Sequence, residues 1–537
     1  MKIFLLLPIL VTGIFNVKEP NKIDNKQIID DKIVFVDDDI SNSTDAEATI
    51  GDVNSVTVKL NYNYQRPSKD YFGENLSEDE YHRKLIQYGK RYHQNKNEEI
   101  LESLNVSGLR NLYVSKYAPY FTFSASSSIL RSNNSNMLID LAKSNDVEQI
   151  VVSKSEEQLT PNLTNVRNMI SYQPSYENED INGEGVVVGI LEPTILNKNH
   201  SNFINTDITV RNFLFPVETV SDHTTIMGSI IAGTDGLAPA AKLLSIQLMG
   251  NANDEIDWLL DHNVNVINCS YGDTNPDGIY TSKSGYMDYI INAYLITIVA
   301  SSGNSGTYVS NPGLGYNVIT VGACGSESYL PRSFSSYIVV EGPHKPNLIA
   351  PGQFVNVSPF GSQSGTSIST AITTGTIALL MQKMPSLKND PTLVRALICA
   401  NTTIPSDDYH GLSDMCGTGV LNYYRTLVNI GNARSYYNRY EGDCTVADFN
   451  VQLEEGSTIR ICMSWLRCCT IDNLNYISDY DLLLKYPNGN VAVSAEIHDN
   501  IEFIEFVVPS DGAYGIEIDL QGDLRQNDLI GLAYCIL

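Results

Sequence analysis

The chain has 537 residues, with 62 Asp and Glu against 35 Lys and Arg, and a formal net charge of −27 at pH 7. At roughly 150 residues per domain this length predicts three or four domains and a sizeable core. The acidic balance argues against nucleic-acid binding, because contacts to phosphates need clustered Lys and Arg.

The first 15 residues predict a secretory signal peptide. A single early Lys2 precedes an apolar run over residues 3–15, which is too short to span a membrane but has the length of a signal core. We therefore expect export, with the protein secreted or at the cell surface, and no membrane anchor after the signal is removed. Residues 16–75 are rich in Asp, Asn and Lys and are interpreted as an acidic disordered leader.

Two further regions differ in their periodicity. Residues 76–160 combine helical and strand patterns and predict a small α+β domain. Residues 165–435 alternate continuous apolar strands with amphipathic helices, which predicts an α/β domain around a parallel sheet covered on both faces.

Polar residues that follow the strands of such a sheet are candidates for a site, because ligands bind at the carboxyl ends of parallel strands. Glu192 follows the strand VVVGIL, and Asn304 follows ITIVASSG. His223 opens a helix of small residues, SDHTTIMGSIIAG, and is the only one of the eight histidines in such a position.

The stretch 346–382 contains no charged residue and no histidine. Prolines and many small polar residues interrupt it, so it predicts burial rather than a membrane span. Its second half predicts a buried helix that opens with Gly365, Thr366 and Ser367. A hydroxyl at a helix N-terminus can become a nucleophile if a base takes its proton, and Ser367 is the candidate. The alternative is that these residues are only an N-cap.

Residues 440–537 show short alternating strands with turn signals, including the hairpin sequence PNGN, and predict a β-sandwich. The chain has nine cysteines and no CxxC pair, which argues against zinc. We expect mainly buried thiols, and a disulfide or two in the C-terminal part is left open. A structural calcium ion at Asp479 and Asp481 is also left open, since alternating Asp on a strand is commonly a solvated face.

Amide hydrolysis needs a nucleophile, a base, a group that orients the base and donors to the oxyanion. The central region supplies one candidate for each, in the chain order acid, His, Asn, Ser. The motifs GTSISTA, SSGNSG and HTTIMGSIIAG, together with GLAPAAKLLSIQL, NVINCSYG, NVITVGACGS and KPNLIAPG in the same order, resemble those of subtilisin-like serine proteases, the subtilases, over roughly 170–430.

The resemblance implies roles for individual residues. Ser367 would attack the peptide carbonyl, His223 would act as general base and then acid, and the Asn304 amide would donate to the oxyanion. Glu192 stands where the family has Asp. The walls of the substrate cleft would include Ser270, Tyr271, Gly272, Ser302 and Gly303.

The flanking regions resemble other parts of these enzymes. The α+β domain resembles an inhibitory propeptide removed by self-cleavage, here expected between 153 and 165. The C-terminal region resembles the β domains of some exported members. Substrates would be proteins or peptides, and the chemistry would need no cofactor.

Four positions depart from the family pattern: Glu192, Thr194 and Thr224 in place of Asp, Gly and Gly, and Ala371 in place of Pro. Pro193 holds Glu192 extended and lets its side chain fold back toward His223. Asp207 and Asp222 are the spare carboxylates.

Two hypotheses of different class therefore compete. One is a secreted endopeptidase made as a zymogen, with a Ser-His-Glu triad and an Asn oxyanion hole. The other is a pseudoprotease with a binding or regulatory role. A sedolisin-like peptidase, which would use Glu as base and Asp at the oxyanion, is disfavoured by His223 and Asn304.

Overall fold

The computed structural model describes residues 33–35, 53–73, 76–104, 110–126, 136–153, 166–172, 181–211, 219–250, 252–325, 328–406, 408–440, 442–468, 477–495, 499–522, 524 and 527–537. The predicted signal peptide, most of the predicted leader and nearly all of the expected cleavage region therefore lie outside the described residues.

The described part of residues 33–153, called here the N-terminal unit, forms a five-stranded sheet with two helices. In chain order the elements are β1 Ile33–Phe35, β2 Val53–Leu60, α1 Glu78–Leu104, β3 Arg110–Val114, β4 Tyr120–Ser126, α2 Asn136–Lys143 and β5 Val147–Ser153. The strand order is β1-β5-β2-β4-β3, with β1 parallel to β5 and the other pairs antiparallel.

Strand β2 differs from the sequence expectation, which placed these residues in a disordered leader. It lies in the middle of the sheet between β4 and β5, and Val56, Val58 and Leu60 are fully buried. Composition averaged over a long polar segment conceals the short alternating pattern VNSVTVKL, which has one apolar face of the kind that a half-buried strand needs.

Residues 166–432, called here the central unit, contain an eight-stranded sheet with helices on both faces. The elements are α3 Val166–Met169, β6 Val187–Glu192, β7 Ile208–Val210, α4 Asp222–Ala232, β8 Lys242–Gln247, α5 Asn253–Asp261, β9 Val266–Cys269, α6 Ser282–Tyr294, β10 Thr297–Ser301, β11 Ile319–Gly325, β12 Leu348–Val357, β13 Gly361–Ser364, α7 Thr366–Lys383, α8 Pro391–Ala400 and α9 Tyr423–Val428.

The strand order is β13-β12-β11-β10-β9-β6-β8-β7, and every pair except β12–β13 is parallel. The predicted parallel α/β architecture is confirmed. One apolar cluster joins the sheet to α4, α7 and α8, and a second joins its other face to α5 and α6. Helix α7 is buried from Thr366 to Met381, which explains why this stretch carries no charge.

Residues 433–537, called here the C-terminal unit, are mostly strands. They form β14 Ala433–Asn438, β15 Cys444–Leu453, β16 Thr458–Trp465, β17 Asp479–Lys485, β18 Val491–Ser494, β19 Ile501–Val507, β20 Gly512–Gln521 and β21 Asp528–Ile536. The two antiparallel sheets have the orders β14-β21-β16-β19 and β15-β20-β17-β18, and one apolar cluster draws residues from both. The unit begins before the predicted residue 440 because β14 pairs along β21.

Candidate active site

Four predicted side chains project from one edge of the central sheet. Glu192 is the last residue of β6, and His223 lies in the first turn of α4. Asn304 follows β10, and Ser367 lies in the first turn of α7. Glu192 and Asn304 thus lie at the carboxyl ends of parallel strands, and His223 and Ser367 lie at the N-terminal ends of two helices.

Ser270, directly after β9, connects the carboxylate to the hydroxyl. Its backbone N–H donates to Glu192 Oε1 at 2.7 Å, and its side chain donates to the carbonyl of Ser367 at 2.9 Å. The Ser367 hydroxyl donates in return to the carbonyl of Ser270 at 3.0 Å. The N-cap of α7 is Gly365, without a side-chain capping bond, so Ser367 does not serve as an N-cap.

Asn304 is oriented by the residue that precedes Ser367. Its Oδ1 accepts from the backbone N–H of Thr366 at 2.8 Å and from the Thr366 hydroxyl at 3.1 Å. Because the amide oxygen is held in this way, the amide nitrogen is the atom left to donate elsewhere. The sequence placed Thr366 at the opening of this helix but gave it no role in the site, although its position next to the candidate nucleophile could have suggested one.

Glu192 and His223 form a buried pair without a direct hydrogen bond. The distance from His223 Nδ1 to Glu192 Oε2 is 3.8 Å, and the two residues are 2% and 0% exposed respectively. Among the described residues, neither imidazole nitrogen nor Glu192 Oε2 has a hydrogen-bond partner. In structures without substrate, catalytic hydrogen bonds are often long and tighten when substrate binds.

Burial shifts both pKa values toward the neutral forms. The pKa of Glu192 is raised to about 8, mainly by burial, against the opposing hydrogen bonds from Ser270 and Asn268. The pKa of His223 is lowered to about 4 by burial. Removing a charge from water disfavours the ionised form in both cases.

The two threonines that depart from the family pattern contact each other. Thr194 Oγ1 lies 2.5 Å from Thr224 Oγ1 and 2.6 Å from Ser221 Oγ. Ser221 is the N-cap of α4 and accepts from the backbone N–H of Thr224. The side chains at 194 and 224 therefore interact directly, and this contact ties the residues after Glu192 to the helix that carries His223.

The two spare carboxylates, those of Asp207 and Asp222, form an ion pair elsewhere or are exposed to solvent. Asp207 pairs with Lys242 at 3.3 Å, and Asp222 is exposed in the first turn of α4. Glu192 is thus the carboxylate that the structure brings to His223. Ala371, the fourth departure, is fully buried within α7.

The predicted cleft residues follow two neighbouring strands, β9 and β10. Ser270, Tyr271 and Ser302 are buried. Gly272 has no room for a side chain, since an added Cβ would lie 2.0 Å from the hydroxyl oxygen of Ser310. Gly303 has a φ of 108°, which glycine adopts without strain, and its N–H donates to Thr366 Oγ1 at 3.3 Å.

No metal site supports the calcium hypothesis within the described residues, where no three His, Cys, Asp or Glu side chains group as ligands. Asp481 lies opposite Asp519 across β17 and β20, and its pKa is raised by burial and by the nearby charge of Asp479, but these described carboxylates are not grouped as metal ligands. Within the same described residues, none of the helices is long and apolar enough to cross a membrane.

A family model described as the Subtilase family matches residues 28–419. The chain belongs to the subtilase family. It is therefore a subtilisin-like serine endopeptidase, a hydrolase of peptide bonds, and the resemblance inferred from its motifs is confirmed.

Individual relatives are distant. Subtilisin BL of Lederbergia lenta is 28% identical over 239 residues, which cover 40% of this chain and 83% of the relative. Subtilisin E of Bacillus subtilis (strain 168) is 28% identical over 230 residues, which cover 38% of this chain and 56% of the relative. Among solved structures, the prenylagaramide maturation protease PagA is 24% identical, with a TM-score of 0.39, over 45% of this chain and 93% of that chain.

Proposed function

We propose that this subtilase is an exported endopeptidase, made as a zymogen, that cleaves peptide bonds with Ser367, His223, Glu192 and Asn304. The observation that carries this proposal is the position of Ser270, which hydrogen-bonds both Glu192 and Ser367. Through this one residue the orienting carboxylate and the nucleophile are held at fixed places on the same sheet edge.

In the proposed reaction the hydroxyl of Ser367 leaves the carbonyl of Ser270 and gives its proton to His223 while attacking the substrate carbonyl. Glu192 accepts from Nδ1–H of His223 once the 3.8 Å gap shortens by about 1 Å. This interaction stabilises the imidazolium that forms. The amide nitrogen of Asn304 donates to the oxyanion. His223 then protonates the leaving amine, and water hydrolyses the acyl-enzyme.

The N-terminal unit is proposed to be an intramolecular inhibitor. It packs on α5 and α6: Asp257 of α5 accepts from the backbone N–H of Lys116 at 2.6 Å and from the Ser115 hydroxyl at 3.2 Å. Asp261 of α5 accepts from the Tyr117 hydroxyl at 2.7 Å. Because residues 154–165 lead from this unit into the central unit, they are where we propose self-cleavage. The C-terminal unit is proposed to be a β-sandwich.

Labelling with a fluorophosphonate tests the nucleophile. We expect the processed wild-type protein to be labelled and Ser367→Ala not to be labelled. Ser369→Ala is the matched control, because Ser369 lies on the same helix, is equally buried and donates to the carbonyl of Ala350 instead. Labelling that persists in Ser367→Ala, or that is absent from processed wild-type protein, contradicts the proposal.

Processing gives a second test. We expect the mature wild-type protein to begin between residues 153 and 165, and Ser367→Ala to remain uncut, because the same site performs the cleavage. N-terminal sequencing of both proteins decides this. A mature chain that begins upstream of Ile100 rules out the proposed cleavage region.

A catalytically impaired pseudoprotease is the second candidate. It is favoured by the Ser367 hydroxyl, which donates to the carbonyl of Ser270, and by the two imidazole nitrogens of His223, which have no partner among the described residues. In that case the processed protein would not react with a fluorophosphonate, and the fold would serve binding alone.

A further inference from the structure

Strand β16 of the C-terminal unit lies along helix α8 of the central unit. At one end the Ser464 hydroxyl donates to the carbonyl of Thr392 at 3.0 Å. At the other end the guanidinium of Arg460 donates to the carbonyl of Thr402. The helical path from 392 to 400, where α8 ends, is about 12 Å at 1.5 Å per residue, and Thr402 follows two residues later. The strand path from 464 to 460 is about 13 Å at 3.3 Å per residue, so the two run side by side in opposite directions.

Cys462 lies midway along this contact. Alternate residues of a strand face the same side, so Cys462 faces the helix with its neighbours Arg460 and Ser464. Cys399 lies on α8 within the same contact. Both cysteines are fully buried, belong to one apolar cluster and are thiols in this structure. The Sγ atoms of Cys462 and Cys399 each lie 3.9 Å from a backbone carbonyl, that of Met463 and that of Asn347 respectively. Each cysteine also shifts the pKa of the other, which places the two side chains next to each other in this contact.

The surroundings make the two thiols unequal. The neighbouring Cys462 side chain, aided by the charges of Arg395 and Lys345, lowers the pKa of Cys399, although burial opposes this. Burial raises the pKa of Cys462. Because the thiolate is the reactive form, Cys399 is the better nucleophile of the pair.

We propose that Cys399 and Cys462 form a disulfide that joins the central unit covalently to the C-terminal unit. The oxidant is a low-molecular-weight disulfide such as glutathione disulfide. The Cys399 thiolate attacks one sulfur of the oxidant and releases one glutathione thiolate; Cys462, losing its proton, then attacks the sulfur of Cys399 and releases the second. Two protein thiols are oxidised, and one disulfide is reduced to two thiols. Because both cysteines are fully buried, the oxidant reaches them during local opening of the contact between the two units.

The cross-link protects the connection between the units. The chain between the two cysteines passes through exposed residues, including His410, Arg439 and Tyr440. A cut at any of them would leave the parts covalently joined. This property is independent of whether Ser367 is catalytic.

Mass mapping tests the bond directly. Full-length Ser367→Ala protein, which cannot digest itself through that serine, is folded in excess oxidised glutathione, unfolded with N-ethylmaleimide and without reductant, and digested. We expect a linked pair of peptides carrying Cys399 and Cys462. Cys269, equally buried on β9, should be alkylated and is the matched control. Alkylation of both Cys399 and Cys462, or linkage of either to another cysteine, overturns the proposal.

Thermal melting supplies a second measurement. Oxidised protein should melt several degrees above the reduced form, since a cross-link restricts the unfolded chain. Cys399→Ser, Cys462→Ser and the double variant should lose this dependence on glutathione disulfide to the same extent, whereas Cys269→Ser should keep it. A shift that persists in the double variant contradicts the assignment.

Discussion

At the scale of single residues, the site combines a Glu in the place of the family's Asp with a nearly complete burial of that Glu and of His223. Glu192 reaches the site from the end of β6, and one of its oxygens is already occupied by the backbone of Ser270. Its other oxygen faces His223. The extra methylene of Glu is thus accommodated by anchoring one oxygen, which leaves the second to act on the imidazole.

Glu192→Ala should lower kcat by on the order of 10⁴-fold with little change in KM, because the carboxylate acts on the imidazolium of the transition state. Glu192→Asp should keep or raise activity, since it restores the residue that the family pattern has. Steady-state kinetics on a peptide substrate measure both. Asp222→Ala, which removes an exposed carboxylate, is the control and should be unaffected. Wild-type kcat in Glu192→Ala would remove Glu192 from the mechanism.

The pH dependence follows from the same burial. The triad works with an ionised carboxylate and a neutral imidazole, and the pKa of Glu192 is about 8 while that of His223 is about 4. We therefore expect kcat/KM to rise with pH through about 8. Glu192→Gln should be less active and lose this limb. A limb near pH 6.5 that survives in Glu192→Gln would assign the titration to another group.

The contribution of Glu192 to the stability of the fold changes with pH in the direction opposite to its contribution to activity. Its pKa is raised on folding, so this contribution is fully present below the ordinary value of 4.5 and is lost as pH rises through about 8. Activity and stability should thus change in opposite directions over this range. Denaturant unfolding of wild type and Glu192→Gln at pH 6 and pH 9 measures the difference.

At the scale of elements, the sequence predicted what local patterns encode. Continuous apolar runs such as VVVGIL predicted buried parallel strands, and the rule for carboxyl ends then singled out Glu192 and Asn304, which follow such runs. The bridging role of Ser270 and the contact of Thr194 with Thr224 could not be predicted, because each depends on residues distant in sequence. Strand β2 was not predicted for a related reason. Its one apolar face is buried because β4 and β5 flank it, and those strands are distant in sequence.

The contact between α1 and α6 contains a buried histidine that makes it sensitive to acid. The two ring nitrogens of His93 are hydrogen-bonded to tyrosine hydroxyls: Nδ1 to that of Tyr62 at 2.8 Å and Nε2 to that of Tyr289 in α6 at 2.6 Å. The rings of Tyr64 and Tyr92 pack against the imidazole. Burial lowers the pKa of His93 to about 3, and no carboxylate is among the groups that shift it. Protonation of His93 is therefore unfavourable while the N-terminal unit stays docked.

Docking should consequently weaken in acid. The pKa of His93 in the docked state lies below the ordinary value of 6.5, so its contribution to docking of the N-terminal unit is fully present above about pH 6.5. Below that pH the binding constant for docking falls by up to roughly tenfold per pH unit. Size-exclusion chromatography of the processed complex at pH 7.5 and pH 5 would show release of the N-terminal unit in acid. His93→Phe, which cannot titrate, should reduce the difference, and an identical difference in that variant would point to another group.

At the scale of the whole molecule, the C-terminal unit is part of the core rather than an appendage. Cys462, Ile501, Phe503 and Ala533 of this unit belong to the same apolar cluster as α7 and α8. Arg395 of α8 is 2% exposed, and its guanidinium donates to the carbonyls of Trp465 at 3.0 Å and Asn500 at 2.8 Å. The guanidinium also donates to the carbonyl of Tyr316 in the central unit, so the acceptors for this buried charge come from both units.

Deletion of residues 433–537 should therefore prevent the central unit from folding, since it uncovers the apolar face of α8 and removes carbonyl partners of Arg395. We expect an insoluble or unfolded product by circular dichroism. Arg395→Leu in the full chain should destabilise by on the order of 3 kcal/mol in denaturant unfolding, because buried carbonyls lose their donor. Lys388→Leu, at a half-buried lysine before the same helix whose ammonium donates to the carbonyl of Gly185 at 2.8 Å, is the control and should change stability less. A truncated chain that folds and reacts with a fluorophosphonate would show that the two units are separable.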